Sequence, residues 1–204
     1  MVERLPFKQG VLGSIPRRLI CLQRQPFLGI PESKLPTRSQ IDKLGEKLRR
    51  AEEPDEALLG QLQAFRAAFD APLRIAQGLV TATVGVEATS RIKTVNTIVE
   101  KLIRAKTRLS SMQDIGGVRV VLDASLREQD AAVDALRAAF EGSSVDDLRE
   151  RARQGYRAVH VIATVEGSVV EVQVRTRLQD MWAQGMEKLA DRVGRGIRYG
   201  EPPR

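Results

Sequence analysis

An acid, an amide and a guanidinium alternate with valines in Glu171-Val-Gln-Val-Arg-Thr176. Successive side chains of an extended strand point to opposite faces. Glu171, Gln173 and Arg175 therefore share one face, and Val170, Val172 and Val174 the other. One face is chemical and the other is core. A carboxylate can bind a metal ion or take a proton, and a guanidinium forks onto phosphate oxygens. A glycine-aromatic turn, Gly155-Tyr-Arg-Ala-Val-His160, lies a short distance upstream. Alone, the run would also suit a half-exposed edge strand.

Two further clusters precede it. Arg91-Ile-Lys93 opens a stretch whose apolar residues Val95, Ile98, Val99, Leu102 and Ile103 recur at helical spacing. The stretch reads as a helix with cations at its start, where they oppose the helix dipole. That placement suggests that the charges serve something outside the helix, although a solvated basic face fits equally well. Lys101 lies on the same helix. In Gln113-Asp114-Ile-Gly-Gly-Val-Arg119 a glycine pair leads into a β-branched run. Asp114 is expected at a turn just before a strand, with Arg119 on that strand. A turn aspartate is commonly only a turn former.

Taken in order, Arg-x-Lys with a further lysine on its helix, Asp114-Ile-Gly-Gly-Val-Arg119, Gly155-Tyr-Arg-Ala-Val-His160 and Glu171-Val-Gln-Val-Arg-Thr176 resemble the synthetase domain of the RelA/SpoT-type (p)ppGpp synthetases. The resemblance spans about Pro36 to Pro203. Its short single domain is similar to the small alarmone synthetases and to the related toxic small synthetases.

The resemblance implies transfer of the β,γ-diphosphate of ATP to the 3′-hydroxyl of GDP or GTP, releasing AMP. It assigns Arg91, Lys93, Lys101 and Arg119 to ATP. It makes Asp114 and Glu171 the catalytic pair and the ligands of Mg²⁺, with Glu171 beside the acceptor hydroxyl. Phosphoryl-type transfer asks a protein mainly for positioning and charge neutralisation, and Mg²⁺ needs few carboxylates beside water and phosphate oxygens. Tyr156 matches the aromatic that stacks on the acceptor base, in which role its hydroxyl is expected to be dispensable. Arg157, His160, Gln173 and Arg175 carry over as acceptor-phosphate or site-shaping residues. The implied partners are ATP and GDP or GTP, with tRNA as an alternative; an antitoxin or a second copy of the chain stays open, and no membrane is implied.

The chain departs from the family pattern in two places. Gln154 stands where many members have Asn in the acceptor loop, and the nearby cations are Arg151 and Arg153. After the Glu171 strand, Ala183-Gln184 replaces a common Ala-Glu, with Glu187 the next acid. The altered loop leaves room for another acceptor, either the tRNA CCA 3′ end or adenosine nucleotides, as in toxic relatives. A non-catalytic nucleotide- or RNA-binding module is a further alternative, against which the presence of both Asp114 and Glu171 argues.

Composition agrees. A length of 204 residues with 42% hydrophobic residues supports one ordinary domain with a real core. The net charge of +7 favours polyanionic partners, while 4% aromatics is too few for a surface of stacking platforms. The single cysteine, Cys21, excludes an internal disulfide and suits a reducing cytoplasm. No apolar run is long enough to span a membrane. There is no Gly-x-x-x-x-Gly-Lys-Ser/Thr loop. His160 is the only histidine, so the His-Asp metal site of the family's hydrolase half cannot be built, and no hydrolase activity is expected.

Residues 1–35, with Pro6, Pro16, Pro26 and Pro31, lack periodicity and read as an irregular N-terminal extension; residues 36–204 form the synthetase-like domain. Helices are expected after Thr37, over Glu56 to Phe69, and from Pro72 to about Val80. The second half reads helix (Thr94 to Arg104), strand (Val118 to Leu122), helix (Arg127 to Phe140), strand (Ala158 to Val165), turn (Glu166-Gly167), strand (Val169 to Arg175) and helix (Leu178 to Val193). Two strands joined by so short a turn are antiparallel, whereas the first is separated from them by a helix. The expected fold is α+β, a mixed sheet covered by helices, similar to the family's nucleotidyltransferase-like fold.

Overall fold

Among the described residues three helices precede the sheet: α1 (Arg38–Arg50), α2 (Glu56–Ala67) and α3 (Asp70–Val84). The computed structural model describes residues 36–150 and 154–194, together with 196, 197, 200 and 202. The readings made for residues 1–35, Arg151, Arg153 and the chain's last residues lie outside the described residues. Thr37 caps α1 in a capping box with Gln40, and Leu44 and Leu48 form its buried stripe. The break at Pro54 is as expected, and Asp55 caps α2 through the Leu58 N–H at 2.7 Å. That helix ends two residues earlier than its apolar pattern suggests. Phe69 packs edge-to-face on Phe65, with centroids 5.6 Å apart, as the chain turns into α3. Pro72 sits in the first turn of α3, where a missing N–H costs nothing.

The sheet has five strands among the described residues, in the order β1-β2-β5-β4-β3: β1 (Thr89–Ile92), β2 (Gly116–Leu122), β3 (Ser144–Asp147), β4 (Val159–Val165) and β5 (Ser168–Thr176). β2 and β5 run parallel and the other pairs antiparallel, so the sheet is mixed, as expected. The remaining helices are α4 (Val95–Ala105), α5 (Leu126–Ala139) and α6 (Arg177–Val193). At the β4–β5 turn both Glu166 (φ 49°) and Gly167 (φ 76°) are left-handed, the conformation a two-residue hairpin requires.

Val118, Val120, Val161, Val170, Val172 and Val174 are fully buried in one core with residues of α1 to α5. Among the described residues, no helix is long and apolar enough to cross a membrane.

The structure corrects three expectations. Arg91 does not begin a helix: it lies on β1, opposite Gly117 of β2. Helix α4 starts only at Val95, where the Thr94 hydroxyl accepts from the Thr97 N–H, so the argument from the helix dipole does not apply to Arg91. The strand expected from Val118 starts two residues earlier, because Gly116 and Gly117 are the first residues of β2. A Cβ on Gly116 would come within 2.7 Å of the Phe69 ring, so glycine lets the strand press onto the start of α3. Finally, β1 and β3 are strands that the sequence reading lacked.

Candidate active site

Residues paired across neighbouring strands point to the same side of a sheet. The register therefore places Arg91, Gly117 and Glu171 in one row, and Arg119, Gln173, His160 and Asp146 in the next. Arg175 follows on β5, opposite Val121. This is the face the alternation of β5 predicts, but it is drier than a solvent-facing strand surface: Glu171 is 8% exposed and Arg175 4%.

Five side chains close a ring there. Arg175 Nη2 donates to Tyr156 Oη and to Gln173 Oε1, both at 2.9 Å. Gln173 Nε2 donates to Glu171 Oε2 at 2.7 Å. His160 Nδ1 lies 2.9 Å from Glu171 Oε1, and His160 Nε2 lies 2.9 Å from Tyr156 Oη. His160 Nδ1–H donates to the carboxylate, and the Tyr156 hydroxyl meets the other imidazole nitrogen. Burial pushes the Glu171 carboxyl up, but the His160 and Gln173 hydrogen bonds outweigh it, and the net direction is downward. Burial raises the Tyr156 hydroxyl, against the opposing charge of Arg175. The Arg175 guanidinium also stands 5.1 Å from the Tyr156 ring centroid. Tyr156 is thus tied into the site by its hydroxyl, contrary to the expectation that this group is dispensable.

Asp114 lies in the turn before β2, as expected. Its Oδ2 is 2.7 Å from Lys93 Nζ, and its Oδ1 is 2.7 Å from Lys101 Nζ. Burial alone would raise this carboxyl, and the lysine hydrogen bonds bring it below its ordinary value. Lys93 is anchored in turn, since Arg66 Nε donates to its carbonyl at 2.8 Å. The negative charge of Asp114 acts to raise Glu171, so the two acids share one electrostatic field.

The pair fits a hard cation. Each of the four carboxylate oxygens accepts from one donor and keeps acceptor capacity. A cation between the acids would relieve their repulsion, with water and phosphate oxygens completing the shell. Among the described residues no group of three or more His, Cys, Asp or Glu side chains is placed to hold a metal ion by itself.

Arg119 joins the same face. Burial and then the charges of Arg175 and Arg91 push its guanidinium down, offset by Asp180 and Glu187. Arg157 stands apart from the ring: it is exposed and reaches only the Gly155 carbonyl, at 3.4 Å. A groove of about 810 Å³ between α1 and the Lys106–Arg108 turn contains none of these residues.

The Gln154-Gly155 turn has a backbone reason for its residue types. Gln154 (φ 48°) and Gly155 (φ 80°) are both left-handed. Asn tolerates that region better than Gln, so the family's Asn suits the turn itself. The Gln154 amide packs against Gly200, whose Cβ, if present, would lie 2.6 Å from Nε2. Gln154→Asn should raise the thermal midpoint by about 1–2 °C, for roughly 0.5 kcal/mol of relieved strain. A calorimetric scan checks this, and a lower midpoint would show that the Gly200 contact outweighs the strain.

Two residues of α6 escaped the sequence reading. Asp180 contacts Arg175 and Arg119, and Trp182 seats the Gln154-Gly155 turn, since a Cβ on Gly155 would fall 2.7 Å from its ring. An acid in the first turn of a helix has a sufficient explanation in the dipole, so Asp180 carried no signal.

The region described as "Region found in RelA / SpoT proteins" matches residues 90–191, half of the chain. Uncharacterized proteins of Mycobacterium tuberculosis and Mycobacterium bovis are 43% identical over 118 residues, 56% of this chain and 43% of theirs. The match thus spans less than half the length of these relatives. The fold is that of small alarmone synthetase 1 from Bacillus subtilis bound to AMPCPP, with a TM-score of 0.51 at 20% identity over 65% of this chain and 80% of that one. The family match runs from the start of β1 to α6 and so takes in both carboxylates, the ring that holds Glu171 and the lysines on Asp114; the chain belongs to the RelA/SpoT family.

Proposed function

We propose that the chain is an ATP-dependent pyrophosphokinase that moves the β,γ-diphosphate of ATP to the 3′-hydroxyl of GDP or GTP, making (p)ppGpp. The observation that carries the reading is the pairing of two differently dressed carboxylates: Asp114, held by two lysines, and Glu171, held by His160 and Gln173. The lysines beside Asp114 suit the donor's phosphates as point charges. A carboxylate without an adjacent ammonium suits an acceptor hydroxyl. In the transfer, the acceptor 3′-oxygen bonds to the β-phosphorus and the bridge to the α-phosphate breaks. AMP leaves with the bridging oxygen. The hydroxyl proton passes to Glu171 and on to solvent, and Arg91, Arg119 and Arg175 counter the charge of the moving diphosphate. Mg²⁺ held by Asp114 and Glu171 would neutralise phosphate charge. Residues 36–204 form the catalytic domain in this proposal, working in the cytoplasm.

A second reading keeps the donor and changes the acceptor. Gln154 turns its amide to Gly200, which takes away one candidate for reading guanine and favours the tRNA CCA end or an adenosine nucleotide. Incubation with labelled ATP, Mg²⁺ and GDP, GTP, ATP or deacylated tRNA separates these outcomes. Label on no acceptor would overturn the enzyme reading.

Donor assignment has its own test. Lys93→Met should weaken ATP use about 10- to 100-fold, the worth of one charge-assisted contact, by the same factor for every acceptor. It should also move the acid limb of the pH profile upward, because Asp114 loses a partner that holds its carboxyl down. Steady-state kinetics across acceptors checks both, and an effect that depends on the acceptor would place Lys93 in the other subsite.

A further inference from the structure

Asp180 belongs to none of the motifs and yet sits under them. It occupies the first turn of α6 and is 6% exposed. Its Oδ1 accepts from Arg175 Nη1 at 3.0 Å and lies 3.8 Å from Arg119 Nη1; its Oδ2 accepts from Gln184 Nε2 at 2.6 Å. Among the described residues it is the one carboxylate in an ion pair with either arginine.

Arg175 has few ways to be held. It is 4% exposed, and its buried Nε has no partner. A guanidinium is a rigid planar fork, so fixing Nη1 on Asp180 fixes where Nη2 points. Nη2 is the atom that grips the Tyr156 hydroxyl and the Gln173 carbonyl oxygen, and through His160 and Gln173 these two set both oxygens of Glu171. The Asp180 carboxylate also offsets, at Arg119, the converging charges of Arg175 and Arg91.

We propose that Asp180 is a positioning residue of the diphosphate transfer: it aims Arg175, and through it the ring around Glu171, and it tempers the arginine cluster so that nucleotide phosphates are not over-bound before transfer. This rests on the pyrophosphokinase reading. Asp180→Asn keeps the shape and a carbonyl for Arg175, while the Gln184 amide can turn to meet the new amide. The variant should fold, with a thermal midpoint near that of the parent. Its kcat should fall about tenfold or more as the ring loosens. Its affinity for a non-hydrolysable ATP analogue, measured by calorimetry, should rise about threefold or more, because one negative charge leaves an arginine cluster. Tighter ground-state binding with slower turnover is a split that lost packing would not produce. Asp180→Glu restores the charge without the geometry: analogue affinity should return to the parent value while kcat stays low.

A folded Asp180→Asn chain with parental kcat and parental or weaker analogue affinity would overturn the proposal. Failure of the underlying reading looks different, since the parent chain itself would label no acceptor. Analogue affinity then still decides the charge role, and an unchanged value, or a parent chain that binds no analogue, overturns that as well.

Discussion

Asp114→Asn and Glu171→Gln should each lower turnover by on the order of a hundredfold or more while the chain stays folded. Each substitution removes a negative charge that the proposed reaction needs and also places a donor where the surroundings already donate. In Asp114→Asn, one of the two positions 2.7 Å from a lysine Nζ becomes an amide N–H₂ facing an ammonium. In Glu171→Gln the new amide meets either Gln173 Nε2 or the His160 Nδ1–H, and the ring opens at one point. Steady-state ATP turnover beside a thermal melt checks the expectation; parental turnover in either folded variant would sink the assignment of the acids. Acid titration adds a second test. Both carboxyls are held below their ordinary values in the folded chain, so the stability they contribute is present above the unfolded carboxylate range, near pH 4. It is lost only as pH falls through the depressed folded values. Turnover should therefore persist to lower pH than an unpaired carboxylate would allow.

How much of this was legible in the sequence depends on whether the deciding contacts are local. The alternation over Val170 to Arg175 predicts a core face and a chemical face, and both are there, because a strand's period is fixed by its backbone. The mixed sheet follows from one two-residue turn and one intervening helix. Strands β1 and β3 have four residues each, mostly exposed. Their pairing comes from the partner strand, so Arg91 was read onto the following helix, whose apolar stripe is the stronger local pattern. The site divides in the same way. Asp114, Lys93, Lys101 and the Glu171 strand carry residue types whose spacing suggests chemistry. Asp180 does not: one of its arginines, Arg119 on β2, is brought to the start of α6 only by the fold, and the other, Arg175, lies five residues upstream across a strand-to-helix junction that no periodic pattern spans. The Tyr156 hydroxyl meets Arg175 nineteen residues along the chain, and the Trp182 ring meets Gly155 from another element, so neither contact is legible locally.

Tyr156 gives the second large effect, and the ring changes what is expected of it. A base stacked on the tyrosine is worth roughly 1–3 kcal/mol and tolerates any base, so Tyr156→Ala should raise the acceptor's KM about ten- to hundredfold while the KM for ATP holds. On stacking alone, Tyr156→Phe would be silent. The hydroxyl, however, bonds His160 Nε2 and takes a hydrogen from Arg175 Nη2, both at 2.9 Å among largely buried side chains. Phenylalanine leaves that imidazole nitrogen and that guanidinium hydrogen without a partner, at a cost of about 1–3 kcal/mol. His160 is then free to flip or change tautomer, and Glu171 loses its fixed donor. Tyr156→Phe should therefore lower kcat about tenfold, with a change of less than about twofold in acceptor KM, and drop the thermal midpoint by about 2–4 °C for each kcal/mol lost. The two variants thus separate the ring face, read in KM, from the hydroxyl, read in kcat. Parental kcat in Tyr156→Phe would mean that the ring of hydrogen bonds shapes the resting site but not the reaction, and stacking would then be the whole contribution of Tyr156.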